Sequence, residues 1–262
     1  MTFLTIAIPT YNRLGYLKEL LPELIRQCKP YPEIEILVSN NQSTDGTADY
    51  LATLTGIKVR TNPENVGAAE NFVRCVEEAT GDYVWLFGDD DLIEKDGIDN
   101  VMDTLRVYPV SLLIVGIRKE EPISFKNCTR FITGVPTELL VHHTLITCNI
   151  FKKELFDYER ARKYWRNYGA MRTIMRSLEW KGGTIYLTDL PVIKIRENRA
   201  PFNENTGPIR IMQLSYLRYL GLSYSRILSY IYIELRASVK RQFYNWKCRR
   251  EYRILQLEDR VL

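Results

Sequence analysis

Tyr83-Val84-Trp85-Leu86-Phe87-Gly88-Asp89-Asp90-Asp91-Leu92-Ile93 is the stretch on which the reading of this chain turns. An apolar run that stops at a glycine reads as a fully buried strand. Three consecutive carboxylates follow it. Adjacent aspartates repel one another, so a fold keeps them together where something positive is held. Hard Mg²⁺ or Mn²⁺ meets that need, because it favours carboxylate oxygens shared with substrate phosphates. The bland alternative is an acidic surface turn. The strand is too apolar for a sheet edge, however, and open α/β sheets bind ligands in the crevice beyond their strands' carboxyl ends.

Outward from that stretch the chain alternates in short units. Residues 2–9 (TFLTIAIP) and 34–39 (IEILVS) read as central strands, and 57–60 as a short third one. Leu14, Leu17, Leu20, Leu21, Leu24, Ile25 and Cys28 recur at helical spacing, with Asn12 as a candidate N-cap and Pro22 placed to kink or split the helix. A second helix is expected through Leu54, with Gly56 ending it, and a third over 68–79 with Gly81 as its stop. After the aspartates come a helix on Ile98, Val101, Met102 and Leu105 and a strand over 111–117. This βα alternation predicts an α/β fold with a mostly parallel sheet and helices on both faces. Residues 118–143 read as loops and irregular strands, 144–156 as mixed, and 164–180 as a helix. Residues 184–187 and 192–195 read as a pair of strands about Asp189-Leu190-Pro191.

Composition is that of an ordinary globular chain, with 262 residues, 45% hydrophobic and 26% charged. The five cysteines are odd in number and lack metal-ligand spacing, which points to a reducing compartment. No secretory leader opens the sequence and no apolar run reaches the roughly 18 residues of a spanning helix, so a soluble or peripheral protein is expected. The net charge of +4 is uneven: residues 208–262 hold 11 Lys and Arg against 4 Asp and Glu, a net of +7, which leaves −3 for residues 1–207. A body of 1–207 with a basic helical extension over 208–262 is the expected organisation.

Four segments in order, IAIPTYNR, SNNQSTDGT, NPENVG and the strand ending in GDDD, resemble the motif order of family 2 glycosyltransferases of the GT-A fold. The subgroup they most resemble is bacterial enzymes of O-antigen and capsule assembly, abequosyltransferases among them. The resemblance implies a Rossmann-like GT-A domain that moves a sugar from a nucleotide diphosphate (UDP, dTDP or CDP type) to a saccharide or polyprenyl-linked acceptor. It also implies inversion, dependence on Mn²⁺ or Mg²⁺, and a cytoplasmic place at the inner face of the cell membrane.

By the same resemblance, one Asp of the cluster faces the ribose and a later one binds the ion. Asp89 and Asp91 have the required spacing; Asp90 is the alternate register. Pro9, Thr10, Tyr11 and Arg13 match the nucleotide-cradling loop, with Tyr11 able to stack on a base and Arg13 to approach phosphate. Asn40 stands where a base-reading Asp is usual, and an amide both donates and accepts, which leaves the nucleobase open. Asn65 and Gly67 match an Asn-x-Gly loop at a helix start, where a plain cap is the structural alternative. Arg196 belongs to a basic loop suited to the pyrophosphate. Asp45 is expected to cap the helix that follows it. No acid sits in a clear general-base motif; Asp157 and Glu159 are the candidates, placed ahead of a helix expected to begin near Tyr164, and a solvated surface role is the alternative. His142 and His143 read as polar loop residues.

Rival readings are a nucleotidyltransferase, disfavoured because PTYNRLGY is no glycine-rich phosphate loop, and a degenerate sugar-nucleotide-binding or scaffold protein at the membrane. No G-x-G-x-x-G follows the first strand, which disfavours a Rossmann oxidoreductase. The extension interleaves Leu, Ile and Tyr with Lys and Arg, a pattern suited to an anionic membrane surface or to packing in a homo-oligomer. Nucleic acid is not expected as a partner, since the body is acidic and shows no recognition motif.

Overall fold

A computed structural model describes residues 2–115, 123–125, 146–164, 185–188 and 190–194. The expected strands and helices of the first 115 residues form. They are β1 (Leu4–Thr10), α1 (Leu14–Cys28), β2 (Ile34–Asn40), α2 (Thr47–Ala52), β3 (Lys58–Thr61), α3 (Gly67–Glu78), β4 (Tyr83–Leu86), β5 (Leu92–Ile93), α4 (Gly97–Val107) and β6 (Leu112–Ile114). Beyond them lie β7 (Ile123–Phe125), β8 (Asn149–Lys152), α5 (Tyr158–Tyr164), β9 (Ile185–Leu187) and β10 (Ile193–Lys194).

The main sheet has the order β3-β2-β1-β4-β8-β6-β9-β7 among the described residues. Strands β3, β2, β1 and β4 are parallel, with Thr10 opposite Asn40 and Ala7 opposite Leu86. Because the chain runs outward from β1 through β2 and β3 and then returns to β4 on β1's other side, the topological switch point lies between β1 and β4. Helices α1 and α4 share a buried core with Ile6, Ile8, Trp85 and Phe87, whereas α3 packs on the opposite face against β1, β2 and β4.

Several expectations need correction. Pro22 neither splits nor ends α1. A mid-helix proline costs about 3 kcal/mol, but Leu17, Leu20, Leu21 and Leu24 are all fully buried, at about 1.5–3 kcal/mol each. Pro22 also sits on the exposed face, where water can satisfy the deprived carbonyl. Helix α2 ends before Leu54, in a tight turn where Leu54 N–H meets Leu51 O. The fifth expected strand, β6, spans only Leu112–Ile114 and is separated from β4 by β8, which runs antiparallel to both. Strands β9 and β10 do not pair with each other: β9 joins β6 and β7, and β10 pairs with β5 in a separate two-stranded sheet. Helix α5 covers Tyr158–Tyr164, ahead of the stretch read as helical, and of the helix expected over 164–180 only Tyr164 is described. Residues 165–180, Arg196, His142, His143 and the extension 208–262 lie outside the described residues.

Candidate active site

At the carboxyl edge of β1, β2 and β4 the chain encloses a cleft of about 450 Å³, within the size range of small-molecule sites. Its walls bring together Pro9, Thr10, Tyr11 and Arg13 after β1, Asn65 and Gly67 at the start of α3, and Asp89, Asp90 and Asp91 after β4. A larger hollow of about 750 Å³ opens at the opposite edge, beside Phe3, Tyr83, Lys152 and Tyr158. It faces the amino ends of the parallel strands, whereas open α/β sheets bind ligands beyond the carboxyl ends, so the smaller cleft is the candidate site.

The carboxylate end is tightly built. Thr10, almost fully buried, donates its hydroxyl to Asp89 Oδ2 at 2.8 Å. Burial pushes the Asp89 carboxyl up to about 6; Asp90 and Asp91 push the same way, while the Thr10 bond and Arg13 oppose them. Asp91 is buried and accepts the Thr147 hydroxyl at 2.6 Å. Gly88 closes the cluster. A Cβ there would lie 3.0 Å from Thr147 Oγ1, 3.1 Å from Asp90 Oδ1 and 3.2 Å from Asp91 Oδ2, so three oxygens crowd around one small cradle. No set of three His, Cys, Asp or Glu side chains forms a complete metal cage among the described residues. Two carboxylates and a hydroxyl facing an open cleft nevertheless fit Mg²⁺ or Mn²⁺, which usually completes its shell with substrate phosphates and water.

The other end is lined by amides. Asn41 Oδ1 accepts Asn62 Nδ2–H at 2.9 Å and Val66 N–H at 3.1 Å, and Asn41 Nδ2 donates to Asn65 Oδ1 at 2.7 Å. Asn65 Oδ1 also accepts Gly67 N–H, which holds Gly67 in a left-handed conformation at φ 80° as α3 begins. Asn71 ties the network to β2 through Ser39, and Arg74 donates to Asn62 Oδ1. Tyr11 is 43% exposed at the cleft, and Arg13 stacks on Tyr16 with 5.1 Å to the ring centroid.

Asn40 is placed differently from the expectation. Neighbouring residues at a strand end face opposite sides, so Ser39 and Asn41 meet α3 and the cleft while Asn40 is fully buried outside the cleft lining. Its Oδ1 accepts Ser43 N–H at 3.0 Å in a local turn, and its Nδ2 has no partner among the described residues. Asp45 caps more than expected: it accepts both Thr47 N–H and Leu14 N–H, joining the starts of α2 and α1. Asn12 is not an N-cap. It has φ 53° and accepts Thr44 N–H instead.

Asp157 and Glu159 are not brought to the cleft. Strand β8 runs antiparallel, with Lys152 opposite Tyr83 at the amino end of β4, so the chain leaves β8 at the far edge of the sheet. Asp157 immediately precedes α5, and Glu159 lies in its first turn. Residues the sequence reading missed are Asn41 and Thr147. The paired asparagines at 40–41 marked the place, but only sheet register chooses between them. No local signal marks Thr147, whose partner Asp91 is 56 positions away.

The sequence matches the family model described as glycosyl transferase family 2 over residues 5–183. Over 100 residues it is 42% identical to the abequosyltransferase RfbV of Salmonella typhimurium strain LT2, covering 36% of this chain and 30% of that protein. The chain spans 30% to 37% of the length of three curated relatives that it matches. Its fold is similar to that of S. aureus TarS 1-349 in complex with UDP-GlcNAc, with TM-score 0.58 and 17% identity over 82% of this chain and 65% of that one. It is also similar to the mannosyltransferase PcManGT of Pyrobaculum calidifontis in complex with GDP-Man and Mn²⁺, with TM-score 0.53 and 18% identity over 82% of this chain and 61% of that one. The expected GT-A type of α/β fold is thereby borne out.

Proposed function

Since the chain belongs to glycosyl transferase family 2, we propose that it transfers a sugar from a nucleoside diphosphate to an acceptor hydroxyl, with inversion, in the assembly of a bacterial surface polysaccharide. The observation that carries this reading is the convergence of Thr10, Tyr11, Asn41, Asn65 and the three aspartates on one cleft at the sheet's switch point. The two ends of that cleft differ in chemistry as the two ends of a nucleotide sugar do.

Asp91 and Asp90 would hold Mn²⁺ or Mg²⁺ beside the cradle at Gly88, and Asp89, anchored by Thr10, would face the ribose. When bound there, the ion would supply Lewis acidity that offsets the charge of the departing diphosphate. Phosphate belongs at this end, because bare carboxylates would repel it without the ion. The base then lies toward the amide end, with Tyr11 offering its exposed ring for stacking. Asn41 meets it as a donor, since both lone-pair directions of its oxygen are occupied by protein N–H groups. Arg13 stands near enough to lower the Asp89 carboxyl and would add positive charge near the diphosphate. In the reaction the acceptor oxygen bonds to the anomeric carbon, the bond from that carbon to the diphosphate breaks, and the hydroxyl proton passes to a base.

A lipid-linked acceptor and attachment to the inner membrane face are part of the same proposal, supported by the basic, aromatic-rich sequence of 208–262. Among the described residues no helix is long and apolar enough to cross a membrane. The test of the site is Asp91→Asn, which should abolish transfer and Mn²⁺-dependent nucleotide binding while leaving the melting temperature at or above that of wild type. Full activity in that variant, or in excess EDTA, would overturn the ion assignment.

A further inference from the structure

We infer that Thr147 is a positioning residue that sets the Asp91 carboxylate for ion binding, an inference that rests on the reading of Asp91 as an ion ligand. Thr147 lies in the 3-10 turn Ile146–Cys148 that feeds β8, the strand inserted between β4 and β6. It is 2% exposed, and each of its polar contacts has a fixed direction. Gly88 N–H donates to Thr147 Oγ1 at 3.0 Å. An amide N–H can only donate, so the hydroxyl spends its single proton on Asp91 Oδ2, 2.6 Å away. The Thr147 carbonyl accepts the indole N–H of Trp85 at 2.7 Å.

Trp85 is fully buried in β4, so this last bond ties the turn to the strand that delivers the aspartates. Moving Thr147 would leave a buried indole donor unpaired, at about 1–3 kcal/mol. The hydroxyl is therefore a fixed post rather than a side chain that happens to be near. It fixes which oxygen of Asp91 faces the turn and limits rotation of the carboxylate. Gly88 is part of the same device, because a side chain there would crowd Thr147 Oγ1 and Asp91 Oδ2 together. Groups that orient a metal ligand in this way typically change metal affinity about 10–100-fold when removed.

The experiment compares wild type, Thr147→Val, which removes the hydroxyl at nearly constant shape, and Thr147→Ser, which keeps it. The readout is Mn²⁺ affinity of the full chain, from the electron paramagnetic resonance signal of free Mn²⁺. It is measured alone and with UDP, dTDP, CDP or GDP, whichever binds wild type in a Mn²⁺-dependent manner. Thr147→Val should bind Mn²⁺ about 10-fold or more weakly, with Thr147→Ser within about threefold of wild type. A purely structural hydroxyl would lower the melting temperature of Thr147→Val and leave the Mn²⁺ affinity of the folded protein unchanged, and that result overturns the inference. Should Thr147→Val not fold, Thr147→Ala replaces it: weak binding beside a tight Thr147→Ser supports the role, and equal affinities overturn it. Failure of wild type itself to take up Mn²⁺ with any of the four diphosphates overturns the ion reading, and the inference with it.

Discussion

Asp89→Asn should stabilise the apo protein while removing function, and the size of the gain can be worked from the site. Burial raises the Asp89 carboxyl from its ordinary 3.8 to about 6. At 1.36 kcal/mol per pH unit that difference corresponds to a cost of about 3 kcal/mol for carrying the charge in the folded chain. The side chain is only partly buried and opens onto the cleft, so solvent screening reduces the net effect to about 2 kcal/mol. Below about pH 4 the folded and unfolded chains both hold the neutral acid, and the cost is absent. It grows as the pH rises and is complete once the folded form ionises, near 6. Asparagine removes the charge and still accepts the Thr10 hydroxyl through its oxygen. At about 2–4 °C per kcal/mol for a domain of this size, Asp89→Asn should melt about 4–8 °C above wild type at pH 8 in EDTA. The advantage should shrink toward zero by about pH 4. The assay is thermal unfolding followed by circular dichroism across that range. A variant that melts at or below wild type at pH 8, or whose advantage is the same at every pH, would refute the electrostatic account.

Asp45→Ala removes the acceptor shared by the first N–H groups of α1 and α2 and should cost about 0.5–2 kcal/mol in urea unfolding. Burial pushes the Asp45 carboxyl up, but the bonds from Thr47 and Leu14 together outweigh it and hold it below the ordinary range, so this contribution should fade as the pH drops through that region. Gly97→Ala should cost about 1–3 kcal/mol in the same assay, because its Cβ would lie 2.5 Å from the Val192 carbonyl oxygen and force β10 off the start of α4. Asn41→Asp should reorder UDP, dTDP and CDP as competitive inhibitors, whereas Asn40→Asp should leave the order unchanged and destabilise the fold by about 1–3 kcal/mol or more, since it buries a carboxylate. Asp157→Asn and Glu159→Gln should each leave turnover within about twofold, the range of surface changes away from a site; a loss of tenfold or more would return them to the chemistry.

Much of the fold was legible because it is local. Strands such as IAIP and YVWL are continuous apolar runs, and α1 and α4 repeat leucine, isoleucine, valine and methionine at helical spacing. The aspartate cluster was legible for the same reason: its chemistry is written in adjacent residues. What escaped was set by pairing at long range. Asn149–Lys152 is four residues without alternation, and only its fit between β4 and β6 makes it a strand. That insertion carries Thr147 to the aspartates and sends Asp157 to the opposite edge. The choice between Asn40 and Asn41 likewise depends on which side of β2 faces α3. The resemblance identified the region and the reaction class, while register decided which side chains reach the cleft.

The central claim, that this cleft turns over a nucleotide sugar, is tested most directly by incubating the full chain with a panel of UDP-, dTDP-, CDP- and GDP-sugars and Mn²⁺ and measuring nucleoside diphosphate release. One class of donor should be hydrolysed slowly without acceptor, with release lost in excess EDTA and in Asp91→Asn while both proteins remain folded. Release that is unaffected by EDTA and by Asp91→Asn, or no binding of any nucleotide to the folded wild type, would contradict it.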